Sequence, residues 1–255
     1  MSNESGTFWD HLDELRHCIL KALGATVVFG VVAFIFKDLL FKVVLAPSRG
    51  DFVTYRLIGA PDFHLHLMNT GLTEQFMIHV KLALYSGLLV ASPYVIYLLF
   101  GFVAPALYDH ERRHAVKIVL GGYVMFIIGT AVNYFVVFPL TVRFLGTYQV
   151  SPDVANMLTI QSYADTLVSM SLVIGVIFEL PVVSWLLALA GILKWQYMAQ
   201  YRKHAVVAIL IIAAIITPTT DAFTLFVVAL PIWLLYELSI GIVRLTAMEV
   251  TETAK

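Results

Sequence analysis

Residues 76–104 read FMIHVKLALYSGLLVASPYVIYLLFGFVA, and a little beyond them residues 108–117 read YDHERRHAVK. The first stretch carries one formal charge, Lys81, and as a helix rising ~1.5 Å per residue it is longer than the roughly 30 Å hydrocarbon core of a bilayer. It reads as a membrane-crossing helix that stops at a charged turn. The fold class follows from asking how often that pattern recurs.

It recurs at about 19–36, 116–138 and 166–190, and two further apolar runs, about 205–217 and 222–243, flank TPTTD. The run at 205–217 reaches only ~20 Å, so helices five and six are expected to be short, at the cost of local bilayer thinning or shielding by neighbours. Composition agrees: 60% of the 255 residues are hydrophobic and 13% charged, with mean hydropathy +0.87. A soluble domain is nearer half apolar and a quarter charged. The expected fold is an all-α integral membrane protein with six transmembrane helices, forming a single transmembrane domain over 1–255.

Six crossings put both termini on one side. The segments on that side hold Arg16, Lys21, Arg112, Arg113, Lys117, Lys194, Arg202, Lys203, Arg244 and Lys255, against Lys37, Lys42, Arg49 and Arg56 opposite. The positive-inside rule therefore makes both termini cytoplasmic. Residues 1–18 form a cytoplasmic N-terminus, 105–115 and 191–204 cytoplasmic loops, and 244–255 a cytoplasmic tail. The segment 37–75 mixes Pro47, Gly50, Pro61 and Gly71 with apolar residues, so it is expected to pack as an extracytoplasmic cap loop. Pro93, Pro139, Pro181 and Pro231 interrupt the helices, which a membrane protein tolerates where neighbours satisfy the freed carbonyls.

Other classes are excluded or weakened. With 16 basic and 17 acidic residues the chain is no polycation, so nucleic acid is not an expected partner. One cysteine, Cys18, leaves no internal disulfide and no thiolate cluster. No G-x-x-x-x-G-K-[ST] loop is present to hold a nucleotide. His110-Glu111-Arg112-Arg113-His114 does spell H-E-x-x-H, the zinc-peptidase pattern, and an intramembrane metalloprotease using His110, Glu111 and His114 is one alternative. Two arginines inside the motif oppose a dication there, and a catalytic zinc needs a third protein ligand, for which Glu179 is the only obvious intramembrane candidate. No metal or other cofactor is expected. Glu179, an ionisable residue in an apolar run, also admits a secondary transporter, although the repeats common in such folds are not visible. A purely structural scaffold is the third alternative.

Four blocks of the chain point elsewhere. A-S-P at 91–93 followed by GFVAPALYDHERR at 101–113 resembles the signature of the TatC family, the multi-spanning receptor subunit of the twin-arginine protein translocase. HLDELR at 11–16, NYFVVFPL at 133–140 and IFELP at 177–181 are similar to further blocks of that family, in order over about residues 8–244. TPTTD carries one residue more before Asp221 than the family's usual T-P-P-D.

The resemblance implies a non-enzymatic receptor in a bacterial cytoplasmic membrane that binds twin-arginine signal peptides of folded cargo. It implies assembly with small single-span TatA and TatB subunits, self-association, and transport driven by the proton gradient. A carboxylate accepts two parallel hydrogen bonds from a guanidinium, which a lysine cannot supply in that geometry. Glu14 and Glu111 match the family's recognition acids, Arg16 and Arg113 are expected to pair with them when no peptide is bound, and Phe102 to offer an aromatic surface beside the arginines. Glu179 is the intramembrane polar residue, expected to hydrate a concave face and deform the local bilayer. Partner docking is expected along helices five and six near Thr217 and Thr224.

Overall fold

The computed structural model describes residues 8–60, 64–103, 115–149, 151, 157–217 and 221–253. In chain order the helices are α1 (Phe8–Ile35), α2 (Lys37–Val44), α3 (Val53–Leu57), α4 (Glu74–Val103), α5 (Ala115–Val132), α6 (Phe138–Thr147), α7 (Ile160–Ile177), α8 (Leu180–Leu189), α9 (Trp195–Gln200), α10 (Arg202–Ile216) and α11 (Ala222–Thr253). Two-residue strands β1 (Leu67–Met68) and β2 (Leu158–Thr159) pair in parallel. Among the described residues the regular structure is otherwise helical, apart from an isolated bridge between Arg49 and His64, and five stretches are long and apolar enough to cross a membrane: Leu12–Ile35, Glu74–Phe102, Ile118–Thr147, Ile160–Leu189 and Ala222–Met248.

Glycines fix the first helix pair. A Cβ at Gly87 would lie 2.4 Å from the Thr26 carbonyl oxygen and 2.7 Å from the Gly30 Cα, so the backbones of α1 and α4 touch. Small residues at such crossings let lipid-embedded helices gain dispersion contact that no hydrophobic effect supplies. The pair is antiparallel, because Phe34, further along α1, stacks on His79, earlier in α4, with ring centroids 3.9 Å apart. Gly129 and Gly175 do the same for α5 and α7: a Cβ at Gly129 would meet the Phe178 side chain at 2.7 Å.

The prolines place the interruptions, and each freed carbonyl that can be traced has a donor. Pro93 lacks the N–H that would bond the Leu89 carbonyl, and the Ser92 hydroxyl donates to that carbonyl at 2.7 Å. Pro139 likewise frees the Phe135 carbonyl, which accepts from the Thr54 hydroxyl of α3. The chain between α5 and α6 relaxes there into a π-helical turn, Asn133–Val137. Pro181 sits in the first turn of α8, so α7 and α8 form one span broken at Phe178–Glu179.

The segment between α1 and α4 caps one end of the bundle. Tyr55 donates to the carbonyls of Pro47 at 2.8 Å and Pro139 at 3.1 Å. Tyr134 and Tyr163 donate to the Val43 and Val44 carbonyls at the end of α2, at 2.7 and 2.9 Å. Thr159 caps α7 by accepting from the Ser162 N–H at 3.1 Å. At the opposite end, the base, Gly191 adopts φ +67 and closes α8: the Ile192 N–H bonds the Leu187 carbonyl and the Gly191 N–H the Ala188 carbonyl, both at 3.0 Å.

Two expectations about the last helices part company. The fifth apolar helix, α10, is short, with 15 residues or ~22 Å. The sixth is not: α11 has 32 residues, runs through Pro231 and continues helically to Thr253, so most of the expected 244–255 tail is helix. Asp221 caps its start, accepting from the Thr224 N–H at 2.7 Å. At its other end no proline or glycine follows Arg244 to stop it.

Candidate functional site

A concave apolar groove of about 490 Å³ opens between α4, α5 and the broken α7–α8 span. Of its lining side chains only Ser92 and Glu179 are polar, and the Ser92 hydroxyl is already engaged with the Leu89 carbonyl. Glu179 enters the groove because Pro181 breaks the span at that residue, and its own backbone carbonyl accepts from the Val183 N–H at 2.9 Å, which fixes the break. Oε1 of the carboxylate is buried and has no hydrogen-bond partner among the described residues. Oε2 lies 2.9 Å from where a Cβ of Gly122 would be, so a glycine on α5 makes the room that the carboxylate occupies. A buried carboxylate oxygen without a donor is costly in an apolar surrounding, and the groove is therefore built to receive a donor from water or from a ligand.

The groove runs down past Ile96, Leu99, Phe100 and Ile118 toward the base. Glu14 stands at the same level. From the Gly30–Gly87 contact, roughly four turns back along α1 reach Glu14, and roughly four turns forward along α4 reach Phe102. Glu14 is exposed and Phe102 half-buried. The antiparallel register thus brings together at one end two residues separated by more than eighty positions of sequence.

Arg16 is exposed on α1, two residues beyond Glu14. Glu111 and Arg113, with His110 and His114, lie outside the described residues. Among the described residues no group of three or more His, Cys, Asp or Glu side chains is arranged to hold a metal ion.

Thr217 and Thr224 are buried within the chain. Thr217 is 7% exposed and Thr224 fully buried, and neither Oγ1 has a hydrogen-bond partner among the described residues. The outward faces of α10 and α11 are instead apolar, with Ile211, Ile215 and Phe226 exposed.

Sequence reasoning missed two contributors. Gly122, which leaves space for Glu179, was visible only as half of a Gly-Gly pair in an apolar run. Lys81 and Asp165 form an ion pair between α4 and α7 at the cap end, beside Thr166, Ser169 and Thr217 around a cavity of about 480 Å³. The lone Lys81 in its apolar run was the available signal, since a cation in a span needs a partner.

Comparison with known proteins agrees with this geometry. The family model of TatC, the Sec-independent protein translocase protein, matches residues 10–231. A TatC of Koribacter versatilis is 34% identical, with 92% of this chain and 84% of that protein covered. A TatC of Blattabacterium is 30% identical, covering 95% and 97%, and one of Aquifex aeolicus 30%, covering 96% and 98%. A crystal structure of a twin-arginine translocase receptor TatC superposes with TM-score 0.76 at 31% identity, over 93% of this chain and 99% of that one. Near-complete coverage in both directions, together with a broken fourth span and an apolar groove where the family blocks fall, means that the chain belongs to the TatC family: it is a multi-helix membrane component of the Sec-independent protein translocase and not an enzyme.

Proposed function

We propose that this chain is the receptor that binds twin-arginine signal peptides on the cytoplasmic face of a bacterial cytoplasmic membrane. Its six helices cross that membrane with both termini inside, α10 supplying the sixth crossing. Glu14 and Glu111 accept the paired guanidiniums in bidentate geometry, and Phe102 covers them from one side. The apolar stretch that follows the arginines in such a peptide lies along the groove toward Glu179. The observation that carries this reading is the common level of Glu14, Phe102 and the lower end of the groove. A ligand with cations at one end and an apolar segment at the other is complementary to an acid-bearing rim that leads into an apolar trough.

No conduit wide enough for a folded protein is formed by one chain of this size. TatA- and TatB-type single-span subunits therefore complete the translocase, against the exposed apolar faces of α10 and α11, and further copies of the chain associate with them. The proton gradient supplies the driving force. Glu179, at the break of the α7–α8 span, hydrates the concave face and, with the short α10, eases deformation of the bilayer for passage of cargo.

The test is binding of a twin-arginine signal peptide to the purified chain, with Arg-Arg and Lys-Lys versions compared on wild type, Glu14→Gln, Glu111→Gln and His114→Ala. Charge-assisted hydrogen bonds contribute about 1.5–3 kcal/mol, so each Gln variant is expected to lose roughly tenfold or more in Arg-Arg affinity. Preference for Arg-Arg surviving both Gln substitutions refutes the assignment. Stoichiometric zinc that depends on His110 and His114, assayed in parallel, replaces it with a metal site.

A further inference from the structure

We propose that a second groove at the base, between the α8–α9 turn and α11, holds the headgroup of an anionic phospholipid, gripped by Lys194 and Arg244. The groove measures about 400 Å³ and is lined on its polar side by Lys194, Trp195, Gln196 and Thr246. At its rim the Arg244 guanidinium lies over the Trp195 ring, 5.3 Å from the centroid, which fixes the direction of its donors. Among the described residues no carboxylate lines the groove, and neither Lys194 nor Arg244 takes part in an ion pair. Arg202 at the same end shows the alternative, since Glu237 neutralises it at 2.8 Å. Lys194 on the groove wall, the Gln196 amide beside it and the Arg244 guanidinium held over Trp195 are complementary to a phosphodiester.

A lipid source is favoured by position. The groove sits where two apolar spans stop, at Leu189 and Met248, which is the depth of phospholipid headgroups. Trp195 is the residue type enriched at that interface. Ile192 and Leu245, each adjacent in sequence to groove residues, are 71% and 63% exposed and offer apolar surface to acyl chains. The turn is also held in place before any ligand arrives, by the paired backbone bonds around Gly191 and by the Tyr236 hydroxyl donating to the Met198 carbonyl at 2.8 Å. A basic cleft between spanning helices at a membrane interface is the arrangement that anionic headgroups occupy.

Native mass spectrometry of the full chain in detergent, titrated separately with phosphatidylglycerol, phosphatidylcholine and inorganic phosphate, tests the assignment. Phosphatidylglycerol is expected to be retained over phosphatidylcholine, and Lys194→Gln and Arg244→Gln each to weaken it roughly fivefold, in proportion to one interfacial cation lost. Lys37→Gln with Lys42→Gln, at the cap end, is expected to change nothing. Should Arg244→Gln fail to fold because its packing on Trp195 is lost, Lys194→Gln, whose side chain is exposed, carries the measurement. Equal retention of the two lipids, or unchanged phosphatidylglycerol binding in Lys194→Gln, overturns the proposal. Inorganic phosphate binding as tightly as phosphatidylglycerol reassigns the groove to a free anion and overturns it equally.

Discussion

The cap and the Glu179 groove follow opposite rules. At the cap, side-chain hydroxyls donate to backbone carbonyls: Thr54 serves Phe135, Tyr55 serves Pro47 and Pro139, and Tyr134 and Tyr163 serve Val43 and Val44. In the groove a carboxylate oxygen is buried with no donor among the described residues, and the surrounding wall is apolar. Satisfied polar groups hold a structure in one arrangement, whereas an unsatisfied one makes the site receptive to whatever can supply the missing bond. On the proposed function, the difference makes the cap end the stabilising region and the groove and base the ligand-capturing one.

Substitutions separate the two regions. Tyr55→Ala removes a fully buried ring and two hydrogen bonds, and is expected to destabilise the chain by about 3–5 kcal/mol, read as a lowered thermal midpoint in detergent. A midpoint that stays put means the cap is an ornament and the contrast is false. Next comes Gly87→Ala, which forces a methyl against the Thr26 carbonyl and the Gly30 backbone, costs about 1–3 kcal/mol, and weakens cap and groove together because both lean on the α1–α4 pair.

Alkaline pH sharpens the comparison further. Burial holds the Tyr55 phenol above its ordinary range, against a smaller opposing pull from Arg143. The folded chain then keeps a proton that the unfolded chain releases near pH 10, so this stabilisation is complete below about pH 10 and declines as pH rises above it. Melts from pH 8 to 11 should show that decline in wild type and a shallower one in Tyr55→Phe, which starts about 1 kcal/mol lower for its lost hydrogen bonds. Parallel curves for the two proteins count against the buried Tyr55 hydroxyl as the source of the decline.

The smallest effect on stability is expected in the groove. Glu179→Leu removes an unpartnered buried carboxylate and leaves the thermal midpoint unchanged or raises stability by about 1 kcal/mol, while export of a twin-arginine reporter falls. A strongly destabilised Glu179→Leu protein makes the carboxylate a structural element and erases the contrast between the regions.

Much of this was legible in sequence, for identifiable reasons. Membrane spans announce themselves through length and apolarity, so α4, α7–α8 and the short α10 were visible, and Pro181 marked the break that displays Glu179. The length of α11 was misjudged because Arg244 looked like a boundary, yet a charged residue ends an apolar run without ending a helix. The burial of Thr217 and Thr224 was not legible, because sequence gives no facing for a residue in a helix that is hydrophobic on most sides. Their burial came from how α10 and α11 pack.

What the sequence determined by itself was the class, the interruptions and the family: hydrocarbon solvation demands long apolar helices, and proline removes specific donors at specific positions. Tertiary structure alone decided which donors repair those carbonyls, that Gly122 leaves room for Glu179, and that Glu14 and Phe102 share a level at one end. Each of these depends on the antiparallel register of helices in contact, and that register is set by where two glycine backbones can touch.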